Sequence, residues 1–176
     1  PRSAHMHMGR FGVGLAEAAA RAGALIHEGA AVTSLQRIAG QAHRVVTTRG
    51  SLEVKQVLLA TGASRQGPFA WLRRRIVPVG SFIIATEPLA PEVMARIMPK
   101  NRIVSDTRKV VYYYRASPDQ RRILFGGRVS TSETDPRLSD PLLHADRVAL
   151  IPELREVRIS HSWCGFVAYT FDELMH

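Results

Sequence analysis

Cysteine is nearly absent from the chain. Cys164 stands alone, which excludes an intramolecular disulfide and fits a reducing, cytoplasmic setting. Lysine is almost as scarce, at positions 55, 100 and 109 only, so arginine carries the positive charge. No run of about 18 apolar residues occurs, and no membrane-spanning helix is expected. Residues 1–10 lack the apolar centre of a signal peptide. His5 and His7 have no third Cys, His or carboxylate at ligand spacing, so no metal site is expected. Aromatics make up 7% of the chain and form no stripe with basic residues, as a nucleic-acid module would show. No Ser–His–Asp set or carboxylate pair stands out.

What is present is ordinary for a globular protein: 45% hydrophobic and 22% charged residues over 176 positions. That length allows one core, or two small subdomains sharing one. The net charge is +9. Its arginines are scattered, with Arg73-Arg74-Arg75 and Arg121-Arg122 the densest spots. Such an excess attracts anionic ligands, for example a dinucleotide phosphate or an acidic substrate.

Residues 11–22 show helical spacing of Val13, Leu15, Ala16, Ala19 and Ala20, with Gly23 placed to cap the end. An apolar segment at 24–26 predicts a strand. Gly12 and Gly14 do not make a dinucleotide fingerprint, because no hydrophobic strand precedes them and Glu17 takes the third glycine's place. Residues 31–38, 43–48 and 51–55 predict a β-meander, with Arg49-Gly50 at a tight turn. Residues 56–60 are an unbroken apolar run, read as a strand buried on both faces and ending in Ala60-Thr61-Gly62.

Beyond Gly67-Pro68 the pattern changes. An extended segment covers 76–88, and a short helix starts near Pro91 and stops before Pro99. Strands are predicted over 102–105, 109–116 and 122–125. Ser117-Pro118-Asp119-Gln120 has turn chemistry between the last two. A helix capped by Ser139 or Asp140, with Pro141 first, is expected to end by Pro152. Strands at 156–161 and 166–170 close the chain. No internal repeat or low-complexity tract interrupts it.

This order resembles the second half of a glutathione-reductase-type FAD domain. More specific features are Gly14-Leu-Ala-Glu-Ala-Ala19 with Gly23-Ala24, Val77-Pro78-Val79-Gly80-Ser81, and Ala85-Thr86-Glu87-Pro88-Leu89. To these are added Tyr114-Arg115 followed by Gly126-Gly127-Arg128, and Trp163-Cys-Gly165 with Thr170 and Asp172. Together they resemble the D-amino-acid oxidase superfamily over essentially the whole chain, in the branch typified by γ-glutamylputrescine oxidase.

The resemblance implies a mixed α/β (α+β) fold. Residues 1–75 would form part of an FAD-binding domain with its β-meander. Residues 76–163 would form a mostly antiparallel substrate-domain sheet with flanking helices, and 164–176 a return towards the first domain. It also implies a bacterial, cytoplasmic flavoprotein that oxidises a primary or secondary amine by hydride transfer to flavin N5. Neither the family's G-x-G-x-x-G segment nor its flavin-closing segment is found. The 176 residues are therefore expected to be central in a longer protein, to bind FAD weakly or not at all, and to be inactive alone. The other class of reading is a non-catalytic remnant or interaction module without cofactor. An amine substrate is the expected partner, with no nucleic acid and no membrane. Self-association is expected through apolar surface exposed by the missing segments.

The resemblance places Val32, Ala60, Thr61 and Gly62 at the cofactor. Tyr112, Tyr114, Arg115 and Trp163 become candidates for the substrate. Tyr112 and Tyr114 share a strand face and Tyr113 takes the opposite one. For the two outer tyrosines, substrate contact and core packing both stay open. Arg115 suits a carboxylate or a surface ion pair, and Trp163 a core anchor or a substrate wall. Val167 stands where α-amino-acid oxidases of the superfamily often place an arginine, which points away from a simple α-amino acid. Met175 stands where relatives usually have proline. The whole reading hangs on residues 56–63 lying in a central sheet beside the meander.

Overall fold

The computed structural model describes residues 6–64, 66–108, 111–130 and 135–172, with side chains at all of these but 128–130. Two compact units divide the chain: Met6–Val77 joined by the return from Ala168, and Pro78–Val167.

The first unit begins with helix α1, Met8–Arg21, whose Leu-Ala-Glu-Ala-Ala-Ala stretch is rich in good helix formers. It starts three residues before the apolar periodicity does, because the His7 ring nitrogen accepts the Arg10 N–H at 3.4 Å. Its end is a Schellman cap. Gly23 has φ +97° and donates to the Ala20 carbonyl, and Ala24 donates to that of Ala19. None of its residues is buried.

Strands β1 (Val32–Arg37), β2 (His43–Thr47) and β3 (Gly50–Val54) form the expected meander, antiparallel throughout. At the hairpin the Thr47 hydroxyl accepts from the Arg49 N–H (3.1 Å) and donates to the Gly50 carbonyl (2.9 Å). Gly50 itself has φ +147°, which a glycine tolerates without strain. A short helix α2, Ala70–Arg73, follows.

Two expected strands of this unit do not form. Residues 24–26 and 56–60 lie outside both sheets, with Leu25 85% and Leu58 90% exposed. An apolar run states that a segment avoids water, but a strand also needs a neighbour for its ladder. Neither segment has one among the described residues.

The second unit holds a five-stranded sheet ordered β5-β6-β7-β4-β8. Its strands are β4 (Ile76–Thr86, entering from the first unit), β5 (Val104–Ser105), β6 (Tyr113–Ala116), β7 (Ile123–Ser130) and β8 (Ile159–Thr170). The β4–β7, β6–β7 and β5–β6 pairs are antiparallel. The segments 156–161 and 166–170, expected as two strands, are joined in the one strand β8, which starts at Ile159. Gly165 sits in open space there and imposes no break.

Helices α3 (Pro91–Ile97) and α4 (Pro136–Leu150) cover one face of this sheet. Met94, Met98, Ala116, Ile123, Ile151 and Leu154 make one buried cluster, and Phe82, Ile84, Phe125 and Leu143 another. Each fully buried side chain of this size stabilises the fold by roughly 1.5–3 kcal/mol. Helix α4 begins five residues earlier than expected. Asp135 caps it by accepting the Arg137 N–H at 3.0 Å, and Pro136 occupies the first position. Pro141 consequently lies inside the helix, at a cost of about 3 kcal/mol that the buried Ser139 and Leu143 on either side must offset.

Near the end of α4, Arg147 is fully buried. Its Nη2 donates to the carbonyls of Leu154 (3.1 Å) and Val157 (2.7 Å), tying α4 to the segment that leads into β8. Its Nε and Nη1 have no partner. Burial lowers its pKa, in the direction expected when a cation leaves water.

Candidate functional site

Side chains alternate across a strand, so the covered face of the second unit's sheet defines the open one. Ile123 and Phe125 are buried towards the helices, which turns Leu124 the other way. Phe82 and Ile84 do the same for Ile83. On β8, Ser162 reaches Asp140 of α4 at 2.5 Å and Cys164 packs against the second cluster, so Trp163 points away from the helices. The open face therefore collects Ser81, Ile83, Tyr113, Arg115, Leu124 and Trp163.

The three tyrosines divide between the faces. Tyr114 stacks on Phe125 at 6.4 Å between ring centroids, and Tyr112 lies 5.6 Å from the same ring. The Arg108 guanidinium sits over Tyr112 at 4.3 Å. These contacts are core packing on the helix-covered side, the second of the two roles left open for Tyr112 and Tyr114. Tyr113 takes the open side, and its hydroxyl meets Ser81 Oγ at 2.9 Å. Arg115 lies on the same side as Tyr113, half-buried, with its Nε donating to the Ala116 carbonyl at 3.2 Å. Trp163 is 40% exposed, too open for a core anchor.

Two consecutive glycines make this arrangement possible. A Cβ on Gly126 would overlap the Tyr113 ring, and one on Gly127 would overlap that of Tyr112. Each ring lies flat across β7, on opposite faces.

The loop leading to Tyr112 is braced by Asp106, which accepts from the Tyr112 N–H at 3.0 Å and pairs with Arg108. Partial burial pulls this carboxyl upward. The hydrogen bonds from Tyr112 and Arg108 outweigh that and hold it below its ordinary value. Asp119 is held down likewise, first by the Ser117 hydroxyl, in the turn before β7.

A cavity of about 240 Å³ lies on the covered side, lined by Met94, Met98, Ala116 and neighbours. Its lining includes no titratable side chain. Among the described residues no group of three metal-ligating side chains occurs, and no helix is long and apolar enough to cross a membrane.

The cofactor candidates belong to the first unit. Val32 is half-buried and pairs with Thr47 at the start of β1. Ala60 and Thr61 are exposed. Gly62 has φ +55° in a turn closed by the Ser64 N–H on the Thr61 carbonyl (3.2 Å). No atom lies within 4 Å of where its Cβ would stand. The chain then returns to β1, where a Cβ on Gly67 would lie 3.8 Å from the Val32 carbonyl oxygen. An open glycine turn followed by a return to β1 fits one edge of a nucleotide site.

Sequence reasoning missed Ser81, Tyr113 and the glycine pair as site features. The opposite facing of Tyr113 was visible in the alternation. Which face the helices cover was not.

Against this geometry stand the known proteins. The model of the family described as FAD dependent oxidoreductase (DAO) matches residues 1–176. The chain belongs to that family. It is 34% identical to the probable oxidoreductase OrdL of Rhizobium meliloti, over 94% of this chain and 38% of that protein. With the gamma-glutamylputrescine oxidoreductase of Escherichia coli it shares 30% identity, over 97% of this chain and 39% of the other. The chain thus spans about two fifths of the length of these relatives. In structure it is similar to L-proline dehydrogenase from P. horikoshii, with a TM-score of 0.71, 20% identity, and coverage of 91% and 43% of the two chains. Glycine oxidase from Geobacillus kaustophilus gives 0.68, 23%, 92% and 42%. These likenesses show a shared fold, the mixed α/β architecture with antiparallel sheets read from the sequence. The condition set on residues 56–63 is not met, since they stand outside both sheets. Membership of the family rests on the family match.

Proposed function

We propose that the whole protein oxidises a primary or secondary amine with FAD as its cofactor, the open face of the five-stranded sheet receiving the substrate. The observation that carries this is the composition of that face: two hydroxyls, an indole, aliphatic Ile83 and Leu124, and one half-buried guanidinium. Among its described residues there is no carboxylate. Hydroxyls and aromatic walls suit a neutral amine held away from water. Arg115, on the same face, suits an acidic group distant from the reacting nitrogen.

On this reading Val32, Ala60, Thr61 and Gly62 hold the adenosine side of FAD with backbone groups, the open turn at Gly62 letting the ligand approach closely. The chemistry that FAD supplies when bound is acceptance of a hydride from the carbon bearing the amine, and the resulting imine then hydrolyses. Trp163, Ile83 and Leu124 exclude water, and Tyr113 and Ser81 orient the nitrogen.

The test is to load the native gene product with FAD and add primary and secondary amines without oxygen. Loss of the visible flavin absorption with an amine, and not with the matching alcohol, is expected. A protein that takes up FAD and is bleached by no amine would overturn the proposal. The 176-residue chain in the same titration is expected to hold FAD weakly or not at all.

A further inference from the structure

We infer that Ser81 is a positioning residue for the Tyr113 phenol, and that the pair is where the open face receives the nitrogen of an amine. This rests on the amine reading above and deepens it.

Tyr113 is fixed at both ends. Its ring lies across Gly126, where any larger residue would displace it, and its hydroxyl meets Ser81 Oγ at 2.9 Å. Ser81 is aimed by strand alternation: Phe82 and Ile84 are buried towards the helices, so Ser81 and Ile83 face the side of Tyr113. Just beyond, Ser81 pairs with Val129 but Phe82 pairs with Gly127, leaving Arg128 as an extra residue on β7.

Neither hydroxyl has another hydrogen-bond partner among the described residues. Each is one donor with acceptor lone pairs, so the pair spends one O–H on itself and keeps one O–H with the remaining lone pairs. A neutral amine offers the complement, N–H donors and one lone pair. A carboxylate, which only accepts, matches that inventory poorly. The flanking Ile83 and Leu124 lower the local dielectric, which strengthens such a bond.

The experiment uses protein labelled with ¹³C at the tyrosine ring carbon bearing oxygen. The native gene product is used throughout, and Tyr113→Phe assigns the resonance. The probe is n-butylamine, titrated at several mildly alkaline pH values so that affinity is referred to its free-base fraction, with n-butanol as control. Butylamine is expected to shift the Tyr113 signal saturably in the parent and in Ser81→Thr, which keeps the hydroxyl. In Ser81→Ala its affinity should fall about tenfold, the worth of one hydrogen bond. In the FAD-loaded protein the Ser81→Ala effect should fall on KM, whereas loss of folded protein alone would lower the apparent kcat. An unresponsive Tyr113, an equal response to butanol, or Ser81→Ala behaving as the parent would overturn the inference. Butylamine binding at Tyr113 without flavin bleaching sinks the oxidation alone. Bleaching with Ser81→Ala unaffected sinks the positioning role alone.

Discussion

The Tyr113 ring occupies the space in which a side chain on Gly126 would stand. Glycine at 126 is therefore a packing requirement set by a residue on the next strand. Gly126→Ala forces the ring to move and separates its hydroxyl from Ser81. Overpacking of this kind costs roughly 1–3 kcal/mol. Gly127→Ala should cost a similar amount through Tyr112. Only Gly126→Ala should abolish the Tyr113 response to butylamine. Urea melts of both variants, with the labelled resonance followed in each, check the difference.

Arg147 holds two carbonyls and leaves Nε and Nη1 without partners. Arg147→Ala opens a cavity and strands both carbonyls, so a loss of about 3 kcal/mol is expected. Arg147→Met strands the same carbonyls but fills the space and removes a buried charge, and it should lose less. The order of denaturation midpoints decides. Equal losses would mean that the hydrogen bonds alone matter.

Asp106 sits below its ordinary carboxyl value of 3.8. A depressed folded-state pKa gives stability that is present above the unfolded value and lost as pH falls through the folded one. The loop joining β5 to β6 should therefore loosen below about pH 4. Amide exchange at Tyr112, whose N–H Asp106 accepts, is the direct readout. In Asp106→Asn that acid-dependent step should disappear, and exchange should be faster near neutrality.

The meander and the antiparallel sheet were legible because alternation and turn residues are local. Gly50, Pro91 and the Ser117–Gln120 turn all stand where their chemistry demands. Residues 56–60 were not legible as they lie, because an apolar run says nothing of which backbone will pair with it. The start of α4 was misplaced because Pro141 and Pro136 both suit a first turn, and the Asp135 cap decided between them. At the site, Arg115 and Trp163 fall on the open face, a placement that their residue types had left open. The tyrosine on that face is Tyr113, since the position of α3 and α4 settles which parity is covered, and no property of a Tyr-Tyr-Tyr run encodes it.

Because β7 lends successive residues to opposite sides, it acts as a partition whose two surfaces share one numbering. Deleting one residue between Ile123 and Phe125 would exchange their tenants, turning Phe125 towards the open side and setting glycine backbone beneath the helices. The extra residue at 128 lies beyond this stretch, so between Ile123 and Gly127 the count of residues, as much as their type, decides what each side receives.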